Sequence, residues 1–170
     1  MSQQRLIITQ GQQAVSKHPD IVLSTLLGSC VAVCLWDPIS QVGGLNHILL
    51  AVQKGPPAHA DSQGTNAMEL LINAVIKQSG QRNRLVAKVF GGAQMVDGLL
   101  EVGAANGSFV LEYLRREEIL VTGQSLGGSA ARQLLFWPTS GTVKVKTVYD
   151  KVPYEAAKTL PKSGNGLELL

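Results

Sequence analysis

Cysteine is scarce in this chain, with only Cys30 and Cys34 among 170 residues. Four positions apart on one extended run, the two sulfurs lie about 13 Å apart at some 3.3 Å per residue, too far for a disulfide. A disulfide-stapled secreted scaffold is therefore excluded, and free thiols of a cytosolic protein are expected. Long apolar runs are also missing, since none approaches the roughly 20 residues a bilayer span requires. The opening Met1-Ser2-Gln3-Gln4-Arg5 leads straight into a strand-like run without a signal-peptide core, so a cytoplasmic location is expected. Charge of one sign is weak: 15 Lys and Arg against 12 Asp and Glu leave +3. Without a dense basic cluster, that balance offers little for nucleic acid. No clustered His/Cys/Asp/Glu ligand set and no internal repeat occur, so no metal or cofactor is expected. The Gly91-Gly92 and Gly127-Gly128 pairs lack the spacing and the lysine of a nucleotide loop, which leaves tight turns as the better account.

What is present suits one turn-rich domain with a sizeable core: 45% hydrophobic residues and 18 glycines. Strand patterns run over 5–9, 13–17, 21–27, 30–37, 42–52, 84–90, 119–122, 132–137 and 142–149. The last alternates Val143, Val145 and Thr147 with Lys144 and Lys146, a half-exposed edge. Helical spacing of Ala67, Leu70, Leu71, Ala74 and Val75 predicts a helix over 65–78 after a Pro-rich loop at 54–63. A second helix is predicted over 106–117, its acidic end (Glu117, Glu118) opposing the helix dipole and so frayed or extended. The domain is assigned to 1–150, with a mobile tail over 151–170.

The chemistry concentrates where Leu27-Gly28-Ser29-Cys30-Val31-Ala32-Val33-Cys34 is followed by Gly43-Gly44-Leu45-Asn46-His47. A lone thiol is usually a small buried hydrophobe, and Cys34 keeps that reading. A thiol with an imidazole on the same face is a nucleophile with its base. Asp37-Pro38-Ile39-Ser40 is a turn by composition. A two-residue loop would pair Cys30 with His47 directly. Proline cannot adopt the positive φ such loops favour, so a four-residue loop, 38–41, is expected. It pairs Asp37 with Val42 and puts His47 on the face of Cys30, within diagonal reach of roughly 7–8 Å. His18 and His59 are expected in solvated turns, and Asp97 and Glu101 as solvated charges.

These segments, with Lys88-Val89-Phe90-Gly91-Gly92-Ala93 and Gly127-Gly128, Arg132 and Gly141-Thr142-Val143-Lys144-Val145, follow in order and spacing those of the CheD family, which the chain closely resembles over about 8–148. The resemblance implies an α+β fold, a layered α/β/β/α sandwich of mixed sheets similar to the catalytic domain of the cytotoxic necrotizing factors. It implies deamidation of glutamines on methyl-accepting chemotaxis receptors, with the phosphatase CheC as a partner where one exists. Cys30 matches the family's nucleophile and His47 its histidine. The family's third site residue, a threonine six positions before the cysteine, falls on Ser24, whose hydroxyl is expected to orient the His47 imidazole, while neighbouring Thr25 is expected on the opposite strand face. Two further departures are Ala105 in place of an arginine and Ser125 in place of an acidic residue. A receptor- or phosphatase-binding adaptor without strong catalysis is the alternative reading, given the departures at Ser24 and Ala105.

Overall fold

Side chains on a strand point alternately to its two faces, and here the central strands are apolar enough to be covered on both while the edge strands keep one face to solvent. The computed structural model describes residues 2–50, 57–95 and 102–149, with backbone alone at 57–61. The strands are β1 (Gln4–Ile7), β2 (Gln13–Ser16), β3 (Ile21–Leu27), β4 (Val31–Asp37), β5 (Val42–Ile48), β6 (Val86–Gly91), β7 (Leu120–Leu126), β8 (Ala131–Trp137) and β9 (Thr142–Val148). The helices are α1 (Pro57–Lys77) and α2 (Val102–Arg116). A four-stranded sheet has the order β1-β3-β8-β9 and a five-stranded sheet the order β2-β5-β4-β6-β7. Both mix parallel and antiparallel pairs.

Two cores follow from the alternation. One face of β4 (Val31, Val33, Leu35) packs against Met68, Leu71, Ile72 and Val75 of α1 and Val110 and Leu114 of α2. The other face (Ala32, Cys34), with Leu45 and Phe90, packs against Leu23, Leu27, Leu134 and Phe136 of the second sheet. Among the described residues the layers thus run α/β/β, with both helices on the five-stranded sheet, and the second helical layer that the resemblance implies does not occur among them. The tail assigned to 151–170, Asp97 and Glu101 lie outside the described residues.

The elements expected from periodicity are present, with differences at their ends. Helix α1 begins at Pro57, inside the expected loop, because proline suits the first helical position, where its missing N–H costs nothing; His59 is accordingly helical. Helix α2 begins at Val102 and does not fray at its acidic end. Glu118 adopts a left-handed φ of 58°, and the Ile119 N–H bonds the Leu114 carbonyl at 2.9 Å, closing the last turn. Arg115 and Arg116 in that turn suit the dipole. β9 is an edge strand, as its alternation predicts.

Candidate active site

The Gly28–Cys30 loop crosses from β3 in one sheet to β4 in the other. It therefore sits at the end of the layer between the sheets, with Cys30 only 6% exposed. β4 and β5 pair from Asp37↔Val42 to Val31↔Ile48, with Ala32 opposite His47. The connecting loop is 38–41, as the proline argument requires. Asp37 shapes it by accepting from the Ile39 and Ser40 N–H groups at 2.9 and 3.1 Å. This register points Leu45 and His47 of β5 and Ala32 of β4 toward the four-stranded sheet, the side on which Cys30 packs.

From the facing strand β3, Leu23, Thr25 and Leu27 point inward and Ser24 points out. Thr25 Oγ1 lies 2.8 Å from His47 Nδ1 and donates to the Ile8 carbonyl at 2.6 Å. The expectation that Ser24 orients His47 is therefore corrected. Ser24 Oγ accepts from Gln133 Nε2 at 2.8 Å on the other face of the sheet. Strand parity forces the two hydroxyls apart, and Thr25 shares its parity with the core residues Leu23 and Leu27. Those flanking leucines were the signal that could have identified it: the inward residue on this strand is five, not six, positions before the cysteine.

A hydroxyl has one proton, and a carbonyl can only accept. With its proton on Ile8, Thr25 accepts from Nδ1–H of His47, which leaves Nε2 with a lone pair able to accept a proton. Burial lowers the His47 pKa to about 4, against the opposing pull of the Ile8 carbonyl, so the ring is neutral at pH 7. A cavity of about 270 Å³ opens beside it, lined by Gln12, Gln13, Asn46, His47, Gln63 and Leu70 among others. Cys34, on the same strand face, is wholly buried. Burial pushes its thiol far above the usual range, with Lys88 opposing. His18 lies exposed between β2 and β3.

The Cys30 loop is held tightly. The Gly92 N–H bonds the Cys30 carbonyl at 2.9 Å and the Ala93 N–H bonds that of Gly28 at 3.0 Å. A Cβ on Gly91, whose φ is +111°, would stand 2.2 Å from the Cys30 carbonyl oxygen, so only glycine permits this approach. Arg132 braces the turn from below, donating to the Gly91 and Gly127 carbonyls at 3.1 and 2.8 Å and to Ser125 Oγ at 3.1 Å. Ser125 thus occupies, as a neutral acceptor, the place of the acidic residue usual in the resemblance. Ala105 is exposed on α2 and leaves the loop contacts untouched. Among the described residues, no three His, Cys, Asp or Glu side chains cluster as a metal site would require.

The family model described as CheD chemotactic sensory transduction matches residues 53–147. Relatives extend the likeness across the Cys30–His47 hairpin. A Caulobacter sp. (strain K31) protein is 44% identical over 157 residues, 91% of this chain and 84% of its own. One from Zymomonas mobilis is 40% identical over 165 residues, 95% of this chain and 90% of its own. One from Rhizobium leguminosarum bv. trifolii is 46% identical over 143 residues, 82% and 78% of the two chains. All three carry the name "Probable chemoreceptor glutamine deamidase CheD". Among solved structures, the Bacillus licheniformis hypothetical protein YfiH superimposes with a TM-score of 0.46 at 14% identity, over 69% of this chain and 49% of that one.

Proposed function

Since the chain belongs to the CheD family, we propose that it is a chemoreceptor glutamine deamidase in which Cys30 is the nucleophile, His47 the base and Thr25 the positioning residue. The observation that carries this reading is the Thr25–His47 hydrogen bond, which presents a neutral imidazole with Nε2 as acceptor on the strand face shared with Cys30.

His47 Nε2 takes the Cys30 proton as the sulfur attacks the side-chain carbonyl carbon of a receptor glutamine, forming a C–S bond. The oxyanion meets backbone N–H groups of the 28–30 loop. The imidazolium passes its proton to the amide nitrogen, the C–N bond breaks and ammonia leaves a glutamyl thioester. A water then gives a proton to Nε2 and attacks the thioester carbon. The C–S bond breaks, the proton returns to sulfur, and glutamate is released. The net change is glutamine plus water to glutamate plus ammonia, with the thiol and imidazole restored.

No helix among the described residues is long and apolar enough to cross a membrane. A substrate in the receptor's cytoplasmic helical bundle places the enzyme in the cytoplasm. The adaptor alternative rested partly on serine replacing threonine, and with Thr25 at His47 that departure no longer weighs against hydrolysis. CheC is the partner to assay by co-purification. The deciding experiment is intact-mass measurement of a receptor cytoplasmic fragment. Wild type is expected to add about one dalton per modified glutamine and Cys30→Ala none; equal gains from both would sink the thiol mechanism.

A further inference from the structure

The segment 8–12 carries the chain from β1 in the four-stranded sheet to β2 in the five-stranded one. Its hydrogen bonds reach both partners of the Thr25–His47 pair. On the Thr25 side, the Ile8 N–H donates to the Ser24 carbonyl at 2.8 Å, and the Ile8 carbonyl accepts the Thr25 proton. On the His47 side, the Gly11 N–H donates to the His47 carbonyl at 2.9 Å, and the Gln12 carbonyl accepts from the His47 N–H at 3.1 Å. The segment also closes on itself. The Gln12 N–H donates to the Thr9 carbonyl at 2.9 Å, and Gln12 Oε1 accepts from the Thr9 N–H at 3.0 Å.

The Ile8 carbonyl and the Thr9 N–H belong to one peptide unit, whose plane points them in opposite directions. Gln12 Oε1, by holding the Thr9 N–H, therefore keeps the Ile8 carbonyl on Thr25. Were that carbonyl to turn away, the Thr25 hydroxyl would be free to donate to His47 Nδ1. The ring proton would then sit on Nε2, which would have no lone pair left for chemistry. Gly11 supplies the bend that lets one short segment make all these bonds. Its φ is +83°, and nothing lies within 4 Å of where its Cβ would stand. Conformation rather than crowding thus selects glycine there.

We propose that Gln12 is a positioning residue of the deamidation reaction: its side chain fixes the peptide that selects the His47 tautomer. Its main chain, with that of Gly11, holds the backbone of His47 itself. The inference rests on the deamidase reading and adds to it the element that readies the base. Gln10, Gly11, Gln12 and Gln13 also line the cavity beside His47, so one segment both walls that cavity and sets the imidazole.

The test compares the full chain with three variants. Gln12→Met keeps the length and loses the acceptor, Gly11→Val resists a positive φ, and Gly11→Asn tolerates one. The readouts are ¹⁵N NMR of the His47 ring at neutral pH, and kcat and KM on a receptor cytoplasmic fragment. Wild type is expected to show a protonated Nδ1 and a bare Nε2. Gln12→Met and Gly11→Val are expected to mix or reverse the tautomers and to lower kcat by about threefold to tenfold. Gly11→Asn is expected to restore the wild-type tautomer and most of kcat. An unchanged tautomer in both Gln12→Met and Gly11→Val overturns the proposal. A rise in KM alone then assigns the segment to substrate binding, and a loss of kcat that follows the melting transition assigns it to stability. An altered tautomer with kcat within about twofold of wild type overturns it as well. The ring spectra need no substrate, so they judge the positioning separately. A wild type that leaves the fragment's mass unchanged sinks the deamidase reading itself.

Discussion

Thr25 has one hydroxyl proton, and the Ile8 carbonyl 2.6 Å away receives it. That local fact decides which nitrogen of His47 is available for chemistry. Thr25→Val keeps the shape and β-branching and removes the acceptor, so the Nδ1 tautomer is no longer selected. The expected result is a loss of kcat of about tenfold to a hundredfold, read from ammonia release, with the fold retained. Ser24→Ala should leave kcat within about twofold. It instead strips Gln133 Nε2 of its acceptor, which costs about 1–3 kcal/mol in urea denaturation. The contrast between adjacent hydroxyls separates catalytic orientation from core satisfaction. At this scale the shared face of Cys30 and His47 was legible, because a thiol among small residues and an imidazole in parity with it leave a pattern in one dimension. Thr25 was not, because a count of six positions cannot register which way a strand residue faces.

At the scale of elements, the β4–β5 hairpin sets which face carries His47. Its turn is closed by Asp37, wholly buried. The carboxylate accepts from Ile39, Ser40 and Gln81 N–H groups and pairs with Arg84 at 2.8 Å. Burial alone would raise its pKa; the Arg84 hydrogen bond and these three backbone donors hold it well below the usual carboxylate range. Asp37→Asn keeps an oxygen for the turn and leaves Arg84 without its counter-ion. We expect a loss of about 3 kcal/mol in urea unfolding, with kcat of the folded fraction little changed. A one-residue slip in this register would turn His47 to the helix side. The four-residue loop was readable from Pro38, since its φ is set by its own ring. The bracing of the Cys30 loop by Gly91, Gly92, Ala93 and Asn106 was not, because those contacts join segments some 60 or more residues apart in sequence.

At the scale of the whole molecule, two sheets enclose an imidazole that water would otherwise solvate. The His47 pKa falls from 6.5 to about 4 because burial disfavours the charged ring. A histidine whose folded value is depressed binds its proton more readily when unfolded. Its contribution is therefore complete above the unfolded value near 6.5 and declines as pH falls toward 4. Stability should drop over that window by on the order of 3 kcal/mol in proportion to the shift. The decline should be absent in His47→Gln, as followed by urea midpoints at stepped pH. A wild-type curve flat between pH 6.5 and 4 would contradict it. For the same reason, the acid limb of kcat/KM should lie near pH 4 rather than 6.5.

Periodicity, turn chemistry and the order of short motifs, all local properties of a chain, determined the α+β class, the nine described strands and two helices and the hairpin register that turns His47 to the side on which Cys30 packs. Only the tertiary structure decided that Thr25 rather than Ser24 meets the imidazole, that α2 reaches the nucleophile loop through Asn106, and that His47 is neutral. Each of these depends on which faces two sheets and a helix present to one another, and burial and hydrogen bonding across layers have no signature in linear spacing.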